Sequence, residues 1–235
     1  MNSVPTAILL DVGGVFLLPS RSHIRTALDQ VGHSPTDDGA IDRAHYVAVR
    51  VFPMDLEASE FLGPHWTEYL KSYARSLGVD SAVLPEAVEH LRNEYVTGLL
   101  WSHQIEGSKE GLEKLVATGV PVGIVSNSDG TIATRLAEME ITQVGPGPGI
   151  AIRCLVDSGQ VGVEKPDPRI FDHALEALEL PPDDIWYVGD TPGFDVVGAR
   201  RAGLQPILMD PFGVNGDYGV TCVRSLDEVA QLIGI

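Results

Sequence analysis

The sequence predicts an α/β fold, a parallel sheet with helices on both faces, interrupted by a helical insert after the first strand. Two observations carry this. Short, continuous apolar runs recur at Thr6–Leu10, Val120–Val125, Ile150–Val156, Asp184–Val188 and Pro206–Met209, as strands buried on both faces do. From the second run onward they alternate with stretches whose apolar residues fall at helical spacing, the pattern of right-handed βαβ units.

The first run, Ala7-Ile8-Leu9-Leu10, passes straight into Asp11 and the pair Gly13-Gly14. Ile24, Ala27, Leu28 and Val31 then recur at helical spacing, and Gly32 to Gly39 is a polar break. Two further stripes, Trp66-Tyr69-Leu70-Tyr73-Leu77 and Leu84-Ala87-Val88-Leu91-Tyr95, carry helix to about residue 97. Little in this stretch alternates like a strand, so it reads as all-helical, with its aromatic stripes mainly in a core. Ser108 is the expected N-cap of a helix through Leu112, Leu115 and Val116 that ends at Gly119. A helix with Ile132, Leu136 and Met139 follows the second strand, and Gly145 to Gly149 must be a loop. Helices with Ile170, Phe171, Ala174, Leu175 and Leu178, and then up to Ala202, flank the fourth strand. Ser225 and Glu228 form a capping box for the last helix.

Sixteen basic against 33 acidic residues give a net charge of −17, which argues against nucleic acid or an anionic membrane surface as partner. An anionic substrate would then need local positive charge, from Lys, Arg or a metal. The two cysteines, Cys154 and Cys222, form neither a disulfide framework nor a zinc pattern, and both read as small buried hydrophobes. The seven histidines show no metal-ligand spacing. With no apolar run near membrane-spanning length and no basic leader, the expected location is the cytoplasm.

Polar groups stand at four strand ends or adjoining loops: Asp11, Ser126 with Asn127, Lys165, and Asp190 with Asp195. A parallel sheet collects such positions on one edge. Each has a plain alternative as a turn former, a helix cap or a surface lysine. Together they make coherent chemistry. Three carboxylates repel unless a cation joins them, and Mg²⁺ suits carboxylates plus substrate phosphate. One carboxylate can attack phosphorus, while a lysine and a hydroxyl hold the phosphoryl oxygens.

These segments resemble, in order, the four motifs of the haloacid dehalogenase-like hydrolase superfamily. They are Asp11-Val12-Gly13-Gly14-Val15, Val125-Ser126-Asn127, Gly162 to Pro168 around Lys165, and Gly189-Asp190-Thr191-Pro192-Gly193-Phe194-Asp195. The resemblance implies a Rossmann-like core of residues 1–18 and 105–235 and a helical cap of residues 19–104. It implies Asp11 as nucleophile and, with the Gly13 carbonyl, Asp190 and Asp195, as the Mg²⁺ site. It implies Ser126, Asn127 and Lys165 as phosphate-binding, with Lys165 also neutralising Asp11, and a small phosphorylated substrate.

One position departs from the pattern. The phosphatases of that family carry a second Asp two residues after the nucleophile, as general acid and base; here it is Gly13. Such a group contributes about 10²–10⁴-fold in rate. Three readings follow. The first is a phosphatase with another acid (His23, Asp129 or a cap residue) or with a good leaving group, such as an acyl or aryl phosphate. The second is a phosphonatase, with Lys71 as Schiff-base lysine, or a dehalogenase, which would not need the retained Asp190 and Asp195. The third is a phospho-ligand binder without turnover.

Overall fold

Six parallel strands form the main sheet of the computed structural model, which describes residues 4–57, 63–96 and 100–234. In chain order the strands are β1 (Ala7–Leu10), β2 (Leu17–Pro19), β3 (Trp101–Gln104), β4 (Val122–Ser126), β5 (Thr142–Val144), β6 (Ile150–Ile152), β7 (Cys154–Asp157), β8 (Ile185–Gly189), β9 (Gln205–Met209) and β10 (Thr221–Val223). The main sheet has the order β10-β9-β8-β1-β4-β7. The chain thus builds outward from β1 on one side, through β4 to β7. It then returns to β8 and builds out on the other. The crevice beside β1 is where strand order reverses, the usual ligand position in an open α/β sheet.

All four residues of β1 are fully buried, because both faces of the sheet are covered. Alternate side chains serve the two faces. Ile8 and Leu10 join one apolar cluster with helices α5 (Ser108–Ala117), α6 (Ile132–Glu138) and α10 (Leu226–Leu232). Ala7 and Leu9 join another, with α8 (Arg169–Leu178) and α9 (Val197–Arg201). A short helical turn, Ser158–Val161, follows β7.

A third cluster belongs to the helices between β2 and β3: α1 (Arg21–Asp29), α2 (Asp38–Ala48), α3 (Pro64–Ser76) and α4 (Leu84–Val96). Residue 97, the expected limit of helix, lies outside the described residues. Leu70, Tyr73, Ala87 and Leu91 face inward here, as the stripes require, and Phe194 enters this cluster from the loop after β8. Among the described residues no helix is long and apolar enough to cross a membrane.

Several expectations need correction. The segment after Leu18 is not wholly helical at its edges: β2 and β3 pair antiparallel, Leu17 with Gln104 and Leu18 with His103. Ile150–Val156 is two strands broken at Arg153; β6 pairs with β5 away from the main sheet, and only β7 joins it. β10 adds a sixth strand at the edge. Ser108 is the first residue of its helix rather than the cap; Gly107, at φ 76°, is the cap residue, and the Ser108 hydroxyl donates to Ile105 O at 2.6 Å. Cys154 is buried but Cys222 is exposed, because on β10 its neighbour Val223 takes the inward position.

Candidate active site

Three adjacent strands end at one place. Asp11 follows β1, Ser126 is the last residue of β4, and Asp190 follows β8, so the order β8-β1-β4 sets the Asp11 carboxylate between the other two. The four groups singled out in the sequence do converge. Lys165 comes in from the loop after β7, and its Nζ lies 2.9 Å from Asp11 Oδ1 and 2.8 Å from Asp195 Oδ1. It also donates to the Tyr187 hydroxyl at 2.7 Å. Two of its protons are thus hydrogen-bonded, to Tyr187 and Asp195, and Asp11 adds an ion pair, so a lysine 1% exposed keeps its counter-charge. Tyr187 is fixed in turn by donating to Val125 O at 2.9 Å.

Asp11, Asp190 and Asp195 are all buried, with ligand oxygens within 4.8 Å of one another. Three carboxylates face one ammonium. Burial, with help from the charges of Asp195 and Asp190, pushes the Asp11 carboxyl up to about 7 against the pull of Lys165. Burial likewise raises Asp195. For Lys165 burial acts downward, yet Asp11 and Asp195 together hold the ammonium above its ordinary value.

Not every oxygen in the cluster faces the cavity. Asp195 spends Oδ1 on Lys165 and Tyr187, and Oδ2 on the Thr191 N–H at 2.8 Å. The Asn127 side chain is spent on the Lys165 backbone, donating to its carbonyl at 3.0 Å and accepting from its N–H at 2.7 Å. That pairing holds the lysine loop, and Asn127 also lines the cavity.

Gly14 matters sterically. It sits at φ +64°, and a Cβ there would lie 2.2 Å from Asp190 Cγ. Gly14→Ala should therefore both strain the backbone, by about 1–2 kcal/mol, and displace Asp190. Urea denaturation is expected to show the stability loss.

The helical layer contributes residues that sequence reasoning did not single out. His45 on α2 is 2% exposed, with Nε2 2.7 Å from Asp190 Oδ2 and Nδ1 2.9 Å from the Tyr69 hydroxyl. Its neighbour Tyr46 donates to Gly14 O at 2.8 Å. One helix thus touches both the loop after Asp11 and the motif carrying Asp190. Trp101, on β3, also lines the cavity above Asp11. A histidine among Ile41, Ala44 and Ala48 could have been noticed as an oddly polar member of an apolar face; Trp101, in Trp-Ser-His-Gln, carried no such signal.

Of the substitutes for the missing acid, His23 does not reach the cavity, while Asp129 and residues of the 19–104 segment such as His45 line it; the Schiff-base candidate Lys71 does not. His23 pairs with Glu94, and Lys71 pairs with Glu68 at 2.8 Å on a solvent-facing turn of α3; neither lines the cavity. That placement removes the Schiff-base reading. Asp129 does line it, but its carboxylate accepts from Thr131 and Arg135. Burial acts upward on Asp129, yet these partners hold it below the usual range, so it stays ionised.

Comparison with known proteins agrees with this geometry. A family model described as haloacid dehalogenase-like hydrolase matches residues 36–209, so that Ser126, Lys165, Asp190 and Asp195 lie within the match and Asp11 before it. The pyrimidine 5'-nucleotidase YjjG of Escherichia coli is 30% identical over 167 residues, covering 69% of this chain and 68% of that protein. The phosphoserine phosphatase of Thermus thermophilus is 43% identical over 67 residues, covering 28% of this chain and only 27% of its own length. Another curated relative, from Drosophila melanogaster, is likewise spanned over less than half of its length, 46%. The solved structure of the HAD-hydrolase YfnB from Bacillus subtilis superposes with a TM-score of 0.58 at 16% identity, covering 99% of this chain and 100% of that one, and so shows the shared fold. A family match over most of the chain, and a 30% identical relative covered over two thirds of its length, lead to one assignment: the chain belongs to the haloacid dehalogenase-like hydrolases.

Proposed function

We propose that the chain is a Mg²⁺-dependent phosphatase that cleaves a small phosphorylated substrate through a phosphoenzyme on Asp11. The observation that carries this reading is the contact of Asp11 with the buried Lys165, at 2.9 Å, on the floor of a cavity that Ser126 also lines. The named activities of the relatives, a nucleotidase and a phosphoserine phosphatase, support the reaction class.

The donor set fits the metal. Buried carboxylates outnumber the ammonium, and burial, with the charges of Asp195 and Asp190, pushes the Asp11 carboxyl up to about 7 despite Lys165; a hard divalent cation would offset that charge. Asp11, Asp190 and the Gly13 carbonyl would hold Mg²⁺, with Asp190 already contacted by the Thr191 hydroxyl and His45, while Asp195 also holds Lys165. The ion would supply charge for the phosphoryl oxygens. The rest is done by the chain. Lys165 and the Ser126 hydroxyl bind those oxygens, Asn127 and Tyr187 fix Lys165, and Asp11 attacks phosphorus opposite the leaving oxygen. Water then releases phosphate and restores the carboxylate. Residues 19–104 act as a cap that excludes water and shapes the leaving-group side. The retained acidic cluster is why a metal-free dehalogenation is not preferred.

Hydrolysis of p-nitrophenyl phosphate tests the reading. It should require Mg²⁺, stop with chelator, and depend on Asp11; no Asp11-dependent turnover of any activated phosphate would overturn it. A phospho-ligand binder without turnover would instead bind phosphate and never label Asp11.

A pH effect follows from the raised carboxyl. A carboxyl that binds its proton more tightly when folded loses stability for the fold as pH rises from its unfolded value, near 4, through about 7. The metal-free protein should melt lower at about pH 8 than at about pH 5 through this group, and Mg²⁺ should raise Tm more at the higher pH, where no proton competes. Thermal scans with and without Mg²⁺ at both values check it.

A further inference from the structure

Gly13 and Trp101 share one place. A Cβ on Gly13 would lie 3.3, 3.6 and 3.9 Å from three carbons of the Trp101 indole. The ring therefore fills the direction in which a side chain at position 13 would project. What stands beside the nucleophile, where an acid would hang, is a flat apolar surface.

That surface continues. Ring centroids run from Trp101 to Tyr95 at 6.2 Å, Tyr95 to Trp66 at 5.7 Å, Trp66 to Phe52 at 5.3 Å and Phe52 to Phe194 at 4.5 Å, with Tyr69 5.4 Å from Trp66. These six rings line the cavity opposite Asp11, Ser126 and Lys165. The cavity holds about 160 Å³, close to the ~150 Å³ apolar cavity that admits benzene.

Charge narrows the ligand further. Among the described residues the cations on the cavity are Lys165, on its floor, and Arg135, paired with Asp129 at 3.0 Å. The aromatic side carries neither Lys nor Arg, so a second phosphate or a carboxylate on the leaving group would be buried without a partner. His45 offers the departing oxygen no free proton, since both its nitrogens are engaged, with Tyr69 and Asp190, and burial holds the Tyr95 hydroxyl well above its usual range, so it gives up its proton poorly. Among the described residues two buried polar atoms on the cavity lack an aligned hydrogen bond within the protein: Asp11 Oδ1, and the Tyr95 hydroxyl beside Tyr69 and Trp101.

We infer that the substrate is a phosphate monoester of a one-ring aryl alcohol, its ring laid against Trp101 and its phosphoryl group on Asp11. This rests on the phosphatase reading above and names its substrate class. The step balances without an acid. An Asp11 oxygen forms the bond to phosphorus as the aryl P–O bond breaks, and the electron pair leaves on a phenolate. A phenol, with pKa near 10, leaves unprotonated where an alkoxide does not. Water then attacks the acyl phosphate at phosphorus, returning the Asp11 carboxylate and releasing phosphate; the phenolate takes its proton from bulk water.

Steady-state kinetics of the full chain with Mg²⁺ test this with three substrates. Phenyl phosphate should exceed glycerol 3-phosphate in kcat/KM by at least about 10²-fold, and across substituted phenyl phosphates the rate should rise as the phenol becomes more acidic. Trp101→Leu should raise KM for phenyl phosphate relative to that for acetyl phosphate by about tenfold, the equivalent of about 1.4 kcal/mol of ring contact; Trp101→Phe should recover most of that ratio. Gly13→Asp alone meets the indole, so gain on glycerol 3-phosphate is expected only when it is combined with Trp101→Ala. Equal kcat/KM for phenyl and glycerol phosphates, or a Trp101→Leu effect equal on phenyl and acetyl phosphates, overturns the aryl assignment. Acetyl phosphate separates the two levels. Its hydrolysis without any aryl preference sinks this inference and leaves the phosphatase reading standing; failure of every phosphate, acetyl phosphate included, to label Asp11 sinks both.

Discussion

Asp11→Asn is expected to lower kcat on any phosphate ester by at least about 10⁴-fold, as loss of a nucleophile does elsewhere, while the chain stays folded. Asn is nearly isosteric, and Asp11 sits just beyond a strand whose four residues are packed without it. The carboxylate is also a burden on the metal-free fold: burial pushes it up to about 7, with Asp190 and Asp195 adding repulsion. The variant should therefore melt at or above the wild-type temperature without Mg²⁺, and gain less from adding it. Activity and stability moving in opposite directions is the signature of a functional charge. Measured turnover surviving in Asp11→Asn, with the protein shown by mass spectrometry to carry no deamidated Asn, would mean that another group attacks phosphorus.

Lys165→Met should fail on both counts. The lysine is fully buried between Asp11 and Asp195, with Tyr187 as its third partner. Removing it leaves two carboxylates buried without their counter-charge, a loss of about 3–5 kcal/mol, along with the cation proposed above to hold the phosphoryl group. Urea denaturation gives the first number, and the double variant with Asp195→Asn identifies its cause. If the penalty is uncompensated charge, the second substitution restores part of the stability and the two changes are strongly non-additive; activity stays lost. Simple additivity would show instead that Lys165 contributes mainly by filling space.

The parts of this site that a linear sequence displays are those attached to long-lived local patterns. Asp11, Ser126 and Asp190 each terminate a buried apolar run, and three such ends on neighbouring parallel strands must converge. Lys165 was legible as a polar group in a loop beside the strand ends, but its burial was not, since nothing local distinguishes a buried lysine from a surface one. Strands of three or four residues such as β2, β3, β5 and β10 are too short to express a period of two, and so they went unread. His45 and Trp101 were missed for a different reason. Each does its work across a contact between the helical layer and the sheet, with Asp190 and with Gly13, and such contacts follow from docking, which no local spacing encodes. The aromatic stripe of α3 was legible as a stripe, but its division into core (Tyr73) and cavity wall (Trp66, Tyr69) depends on which neighbour each ring meets.

The antiparallel pair of β2 and β3 has a mechanical consequence. The chain leaves the sheet through Leu17–Pro19 and re-enters it through Trp101–Gln104, so any tilt of the helices relative to the sheet pivots on these two strands. Trp101 is the first residue of the returning one, and its indole rests on Gly13. The aromatic wall beside Asp11 is therefore anchored where the chain crosses between helices and sheet, and a tilt about this pair would move the rings of α3 and α4 further than Trp101. A molecule entering an opened cavity would find the indole already beside Asp11, and the remaining rings would close onto it afterwards.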